Sequence, residues 1–462
     1  MYKMISKLIM FREFGEDSIL SNMAEIISEF DSGEYDEEEL IDWIYGEIHK
    51  LLQLGTDYGF DRNLWHDYIA YILLTNENPF TLTAERMELP EGSVNTFVLR
   101  DMSIFYDLYN YDFSKLEEGL SIDCFSTISN YTSIHKRGQL FNRNVSEKVR
   151  NLSDAIEQIS DSEDNNDIAA KEMLDLVRSF YSKYGIGMFG LNTAFRISES
   201  SSDEEIGELN SLAYVDGSNI IFKPINNTDR VMLDDLVGYD IQKKKLRDNT
   251  EAFLAGHPAN NVLLFGDAGT GKSTSIKALI NEYSDQGLRM IELYKHQMRY
   301  LSSIISSIKS RNYRFIIYMD DLSFEENETE YKYLKAVIEG GLETKPDNIL
   351  IYATSNRRNL IRETWNDISD IELDKHRSDT IQEKLSLVSR FGITIPFMRP
   401  NKKDYEEIVK TLAEKSGLLS SSRDGQSDEN SIEKLLAEAN KWSVNHGGMS
   451  GRAAQQLIDS LS

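Results

Sequence analysis

The sequence predicts an α/β protein with three parts: a parallel-sheet domain over residues 226–400, a C-terminal helical domain over 401–462, and an acidic, mostly helical N-terminal region over 1–225. Three observations carry that prediction. Across the central part, short apolar runs alternate with amphipathic stretches, the pattern of a parallel sheet covered on both faces. A glycine-rich loop separates one of these runs from a helical stretch. The two flanking parts instead space their apolar residues at helical intervals.

In the N-terminal region, Leu40, Ile41, Ile44, Ile48, Leu51 and Leu52 recur at helical spacing, as do Met173, Leu174, Val177, Phe180 and Tyr181. Two acidic stretches, 31–39 and 161–167, read as loops. A polar run at 198–208 precedes a short apolar stretch ending at Pro224, which places the main boundary near residue 225. Candidate strands follow at 261–265, 289–293, 314–319, 348–353 and 392–395. Helices are predicted at 404–415, 432–440 and 450–461, with a Ser/Asp/Gly-rich loop at 420–430.

Composition excludes several classes. The chain has 462 residues, 40% hydrophobic and 27% charged, enough to bury more than one core. No apolar run approaches the roughly 20 residues that span a bilayer. Residues 1–14 hold a short apolar patch, but Arg12, Glu13 and Glu16 crowd it and no small-residue cleavage site follows, so no signal peptide is read. The single cysteine, Cys124, rules out a disulfide framework and a cysteine metal site, and its apolar neighbours make it core filler. His49, His66 and His135 are scattered and read as structural. Together these features predict a cytoplasmic protein. Of the net charge of −27, residues 1–225 carry −23 and residues 226–462 carry −4. Such acidity repels nucleic acid and anionic membranes. It reads as a solvated surface or, more sharply, as a face for a basic protein partner.

The chemistry concentrates in the middle of the chain. Gly266, Asp267, Ala268, Gly269, Thr270, Gly271, Lys272 and Ser273 form a complete phosphate-binding loop. It follows the apolar run 262–265 and opens a helical stretch beginning at Thr274. The glycines let successive N–H groups point inward at an anion, at the positive end of the helix dipole. Lys272 would reach terminal phosphates, and the Ser273 hydroxyl would ligate magnesium. The apolar run 315–319 ends in Asp320 and Asp321, 48 positions after Lys272. Asp320 would hold magnesium through its water shell, and Asp321 would orient or polarise an attacking water. Asn356 closes the next strand, placed to hydrogen-bond a γ-phosphate or that water. Arg390 precedes the last strand and Arg452 opens the last helix, and a guanidinium at either place would stabilise charge on phosphoryl oxygens.

This order of phosphate loop, acid-tipped strand, Asn-tipped strand, Ser389-Arg390-Phe391 and a helical-domain Arg452 resembles the AAA+ ATPases. The resemblance implies a P-loop AAA+ domain with a C-terminal helical lid, binding ATP and Mg2+. It matches Lys272 and Ser273 to the Walker A motif, Asp320 and Asp321 to Walker B, and Asn356 to sensor 1. Arg390 matches the arginine finger that completes a neighbouring subunit's site, which implies a homo-oligomer, and Arg452 matches sensor 2. Leu236-Val237-Gly238-Tyr239 resembles the segment that packs on adenine. Over residues 184–462 the finer text, including Asp248-Asn249-Thr250 and Tyr352-Ala353-Thr354-Ser355-Asn356-Arg357-Arg358, is similar to a bacterial AAA+-type family known only as a domain of unknown function.

Two departures stand out. Asp321 occupies the position where those ATPases carry Glu, one methylene longer, which implies slow hydrolysis or help from Glu325 or Glu326. The segment 294–298 lacks the aromatic-apolar-Gly loop with which ring unfoldases grip a polypeptide. The leading expectation is an ATP hydrolase that couples nucleotide state to assembly and remodels a protein partner held by the acidic region. One alternative is an ATP-gated switch or adaptor with little turnover. The other is a DNA-associated loader, using Lys243-Lys244-Lys245 and Arg357-Arg358 on phosphates, which the charge of −27 disfavours.

Overall fold

The computed structural model describes all residues except 15–16, 86–91, 134–142, 160–165, 200–214, 216–219, 226–229, 325–327, 329, 340–345, 358–359, 361–386, 420–428 and 462. His135, Glu325, Glu326 and Arg358 therefore lie outside the described residues. The chain forms two compact units, Met1–Asn227 with Arg311–Tyr313, and Thr228–Ser310 with Arg314–Ser462.

The first unit is built on helices, among them Ile19–Ser32, Glu37–Tyr58, Leu64–Thr75, Val94–Tyr109, Arg143–Glu157 and Asn166–Tyr184. Their apolar stripes meet in one core: Leu40, Ile44, Ile48 and Leu51 are buried together with Met173, Leu174, Val177 and Tyr181. Asp101, fully buried, accepts backbone N–H groups from Ile9, Met10 and Phe11 and so fixes the first segment of the chain. Arg311 is only 9% exposed; its guanidinium donates to both oxygens of Glu85 and to Glu77. A charge so buried is tolerated because every partner is in place.

Two expectations about this unit need correction. The stretch 31–39 is not all loop, because a helix starts at Glu37. The Asp36 carboxylate accepts the N–H groups of Glu38 and Glu39, and three glutamates in the first turn suit the positive end of the helix dipole. Similarly, the helix Asn166–Tyr184 begins inside the stretch 161–167. The unit also contains strands, β1 (Ala194–Glu199) and β2 (Ile220–Pro224), paired antiparallel with Phe195 opposite Pro224. Phe195 and Ile197 are buried while Arg196 between them is exposed, the alternation of a half-buried strand. Cys124 is buried, and burial pushes its thiol up to about 11, so it stays protonated.

The second unit holds five parallel strands: β3 (Val262–Gly266), β4 (Leu288–Glu292), β5 (Arg314–Met319), β6 (Ile349–Ser355) and β7 (Ile393–Phe397). They lie in the order β4-β5-β6-β3-β7. All seven residues of β6 are buried, as a strand covered on both faces requires. After β3 the chain crosses to the far edge, returns through β4, β5 and β6, and then places β7 on the other side of β3. The carboxyl end of β3 is therefore the switch point where such sheets open a ligand crevice. Three helices follow, Lys402–Lys415, Glu429–Asn445 and Gly451–Leu461, packed around Tyr405, Val409, Ala439, Ala454 and Leu457.

Candidate functional site

The loop leaving β3 is shaped by its backbone. At Gly266 a side chain would lie 2.1 Å from the carbonyl oxygen of Phe397 on β7, so only glycine lets the two strands diverge there. Gly269 has φ +76°, a left-handed conformation, and faces the Cβ of Arg452 and the side chain of Ser450. The helix Lys272–Tyr283 starts directly after Gly271. Its free N–H groups and dipole therefore point into the loop.

Side chains from the ends of two strands, β5 and β6, close on this loop. The Lys272 Nζ donates to the carbonyls of Gly266 (3.0 Å) and Asp267 (2.6 Å) and to Asn356 Oδ1 (3.0 Å). Asn356 Nδ2 donates to Asp321 Oδ1 at 2.7 Å. Ser273 Oγ donates to Asp320 Oδ1 at 2.6 Å, and Thr354 Oγ1 donates to the same oxygen at 2.6 Å. Thr354 Oγ1 also accepts the N–H of Asp321 at 2.9 Å. Asp321 has φ +49°, a left-handed conformation that Asp tolerates better than most residues. One network thus links the tips of β3, β5 and β6.

Its electrostatics follow from burial and proximity. Burial lowers the pKa of Lys272 and the charge of Arg452 adds to this, while Asp321, Asp267 and Asp320 oppose it. For Asp320, burial alone would raise the pKa; hydrogen bonds from Ser273 and Thr354 outweigh it and hold the carboxylate below its ordinary range. An ionised Asp320 beside the Ser273 hydroxyl is a pair of hard oxygen donors. That set suits a cation such as Mg2+, which takes few protein ligands and fills its shell with phosphate and water. Among the described residues, no group of three or more His, Cys, Asp or Glu side chains could hold a metal by itself.

A cavity of about 790 Å3 opens beside the loop, within the range of small-ligand sites. Ala268, Gly269, Thr270, Gly271, Lys272, Ser273, Thr274, Asp320, Asp321, Asn356 and Arg452 line it. Arg452 comes from the last helix, and its N–H donates to the Gly269 carbonyl at 3.3 Å. Asp267 is not among the lining residues; its carboxylate accepts the N–H of Arg399 at 3.1 Å. Gly238 and Arg390 are not among the lining residues, although Val237 and Tyr239 beside Gly238 are. Tyr239 stacks on Phe397 at 5.0 Å and donates its hydroxyl to the Met398 carbonyl. Lys243, read from sequence as a phosphate contact, is 9% exposed and donates to the Leu236 carbonyl.

Sequence reasoning missed Thr354 as a site residue, and it missed the far end of the cavity. There Asp235 and Lys415 face each other at 2.5 Å, with Ile408 and Leu412 alongside. Spacing could not have revealed this pair, since 180 positions separate its members.

The family described as protein of unknown function (DUF815) matches residues 208–462. No curated protein matches the chain. Among solved structures, the chain is similar to the Thermotoga maritima RuvB Holliday junction branch migration motor, with 18% identity over 50% of this chain and 72% of that one and a TM-score of 0.28. A mutant of the same RuvB matches at 19% identity over the same shares, with a TM-score of 0.30. These likenesses concern the fold alone.

Proposed function

The chain belongs to the DUF815 family, and on that premise we propose that it is an AAA+-type protein that binds ATP with Mg2+ and hydrolyses it. The observation that carries the reading is the continuous network from Lys272 through Asn356 to Asp321, alongside Ser273, Asp320 and Thr354. Each residue's role follows from its chemistry. Lys272 exchanges its carbonyl partners for the β- and γ-phosphates. Ser273 and Asp320 hold the divalent cation, which when bound neutralises charge on the phosphate oxygens. Asp321 orients the attacking water, and Asn356 holds that water or the γ-phosphate without adding charge. Arg452 brings a positive charge from the helical lid, and the segment around Gly238 packs on the base. Arg390 serves the site of a neighbouring copy, which couples hydrolysis to assembly.

On this reading residues 226–400 are the nucleotide domain, 401–462 its lid, and the acidic residues 1–225 hold a basic protein partner in the cytoplasm. No helix among the described residues is long and apolar enough to cross a membrane. A second reading, an ATP-gated switch with little turnover, is favoured by one observation: the Asp321 carboxylate is short and already held by Asn356.

Phosphate release measured across protein concentrations separates the two. Turnover that rises with concentration and is lost in Arg390→Ala supports assembly-coupled hydrolysis. Tight ATP binding without release supports the switch. Turnover surviving in Lys272→Ala or Asp320→Ala contradicts both.

A further inference from the structure

Tyr318 is the penultimate residue of β5, and Asp320 follows directly after the strand's last residue, Met319. The helix Lys272–Tyr283 covers the sheet face on which Tyr318 lies. Lys277, one turn beyond Ser273, holds its Nζ 6.0 Å from the centre of the Tyr318 ring. The ring is 1% exposed, and its hydroxyl has no hydrogen-bond partner among the described residues. It lies close enough to Asp320 and Ser273 to interact with both.

An unsatisfied buried hydroxyl carries a desolvation cost that phenylalanine, filling nearly the same volume, would avoid. The cost is explained if the donor is needed in another state of the site. We infer that Tyr318 is a positioning residue for the metal end of the site, its hydroxyl donating to the Asp320 carboxylate when a divalent cation is bound. The inference rests on the nucleotide reading above. Asp320 Oδ1 accepts two hydrogen bonds, from Ser273 and Thr354. A cation that draws on the Ser273 oxygen disturbs this pair, and Tyr318 is the nearby buried donor that can steady the carboxylate. Because β5 supplies Tyr318, the donor comes from a rigid element rather than a loop.

Tyr318→Phe in the full chain tests this by removing one oxygen and leaving the ring. Mn2+ affinity is measured by electron paramagnetic resonance at a fixed concentration of a non-hydrolysable ATP analogue, together with the melting temperature without cation or nucleotide. The expected result is Mn2+ affinity weakened about fivefold, as loss of one hydrogen bond implies, with a cation-free melting temperature equal to or above wild type. Unchanged Mn2+ affinity in Tyr318→Phe overturns the inference, whatever happens to the melting temperature. If the wild-type protein shows no Mn2+-dependent analogue binding, the nucleotide reading itself fails and this inference falls with it. Turnover need not be measured, so a slow enzyme does not blunt the test.

Discussion

Thr354 is the strongest point at which to perturb the network. Its hydroxyl, 1% exposed, donates to Asp320 and accepts the N–H of Asp321, so one atom holds both carboxylate residues. Thr354→Val keeps the shape and β-branching of the side chain while deleting both bonds. A hydrogen bond to a charged group contributes about 1.5–3 kcal/mol when shielded, but Asp320 and Asp321 are both exposed, so solvent screens the first bond and can satisfy the freed N–H. The expected loss is therefore about 1–2 kcal/mol, or roughly 2–8 °C in melting temperature for a unit of this size. The effect has a pH signature. Hydrogen bonds hold the folded-state pKa of Asp320 below its unfolded value. The stabilisation is thus fully present above the unfolded pKa, near 3.9, and is lost as pH falls through the folded value. Thermal melts of both proteins at pH 7 and below pH 4 should show a gap at neutral pH that narrows in acid. Equal melting temperatures at pH 7, or a gap that does not change with pH, would refute the claim that Thr354 acts through an ionised Asp320.

Three further outcomes follow. Asn356→Ala should lower kcat about a hundredfold with KM changed only a few-fold, because the amide is assigned to the water and γ-phosphate rather than to binding; steady-state kinetics check it. Gly269→Ala forces a methyl into a φ +76° backbone and within 3.1 Å of the Arg452 Cβ, so it should cost about 1–2 kcal/mol in urea unfolding and weaken nucleotide binding. In the first unit, His66 stacks on Tyr109 at 3.8 Å, and burial pulls its pKa down to about 4. The unfolded chain binds that proton near pH 6.5, so this group costs stability as pH falls from about 6.5 to 4. Asp67, raised to about 6 by burial, works in the opposite sense. Against that background His66→Phe should lessen the loss of stability on acidification, read as the melting temperature across that range.

What the sequence could disclose depended on whether the signal was local. The run 315–319 is apolar and bounded by Arg314 and Asp320, and β5 covers it as Arg314–Met319. The grouping of Lys272, Ser273, Asp320, Asp321 and Asn356 was legible because each follows an apolar run, and parallel strands bring such tips to one edge. Thr354 was not legible as a site residue. Threonine at a strand end is ordinary, and its role arises from register: Met319 pairs with Ala353, which sets Asp320 alongside Thr354. The hairpin of β1 and β2 was missed because Phe195-Arg196-Ile197 is too short a period-two signal beside a long polar run. The helix start at Glu37 was hidden for the opposite reason. Acidic residues resemble a loop by composition, yet at a helix N-terminus they cap and complement the dipole.

The central claim is that the loop after β3 grips a triphosphate through Lys272. Calorimetric titration of Mg-ATP into the wild-type and Lys272→Ala proteins tests it most directly. The account predicts saturable heat for the wild type and an affinity at least a hundredfold weaker for the variant. No heat from the wild type, or indistinguishable binding by the two proteins, would contradict it.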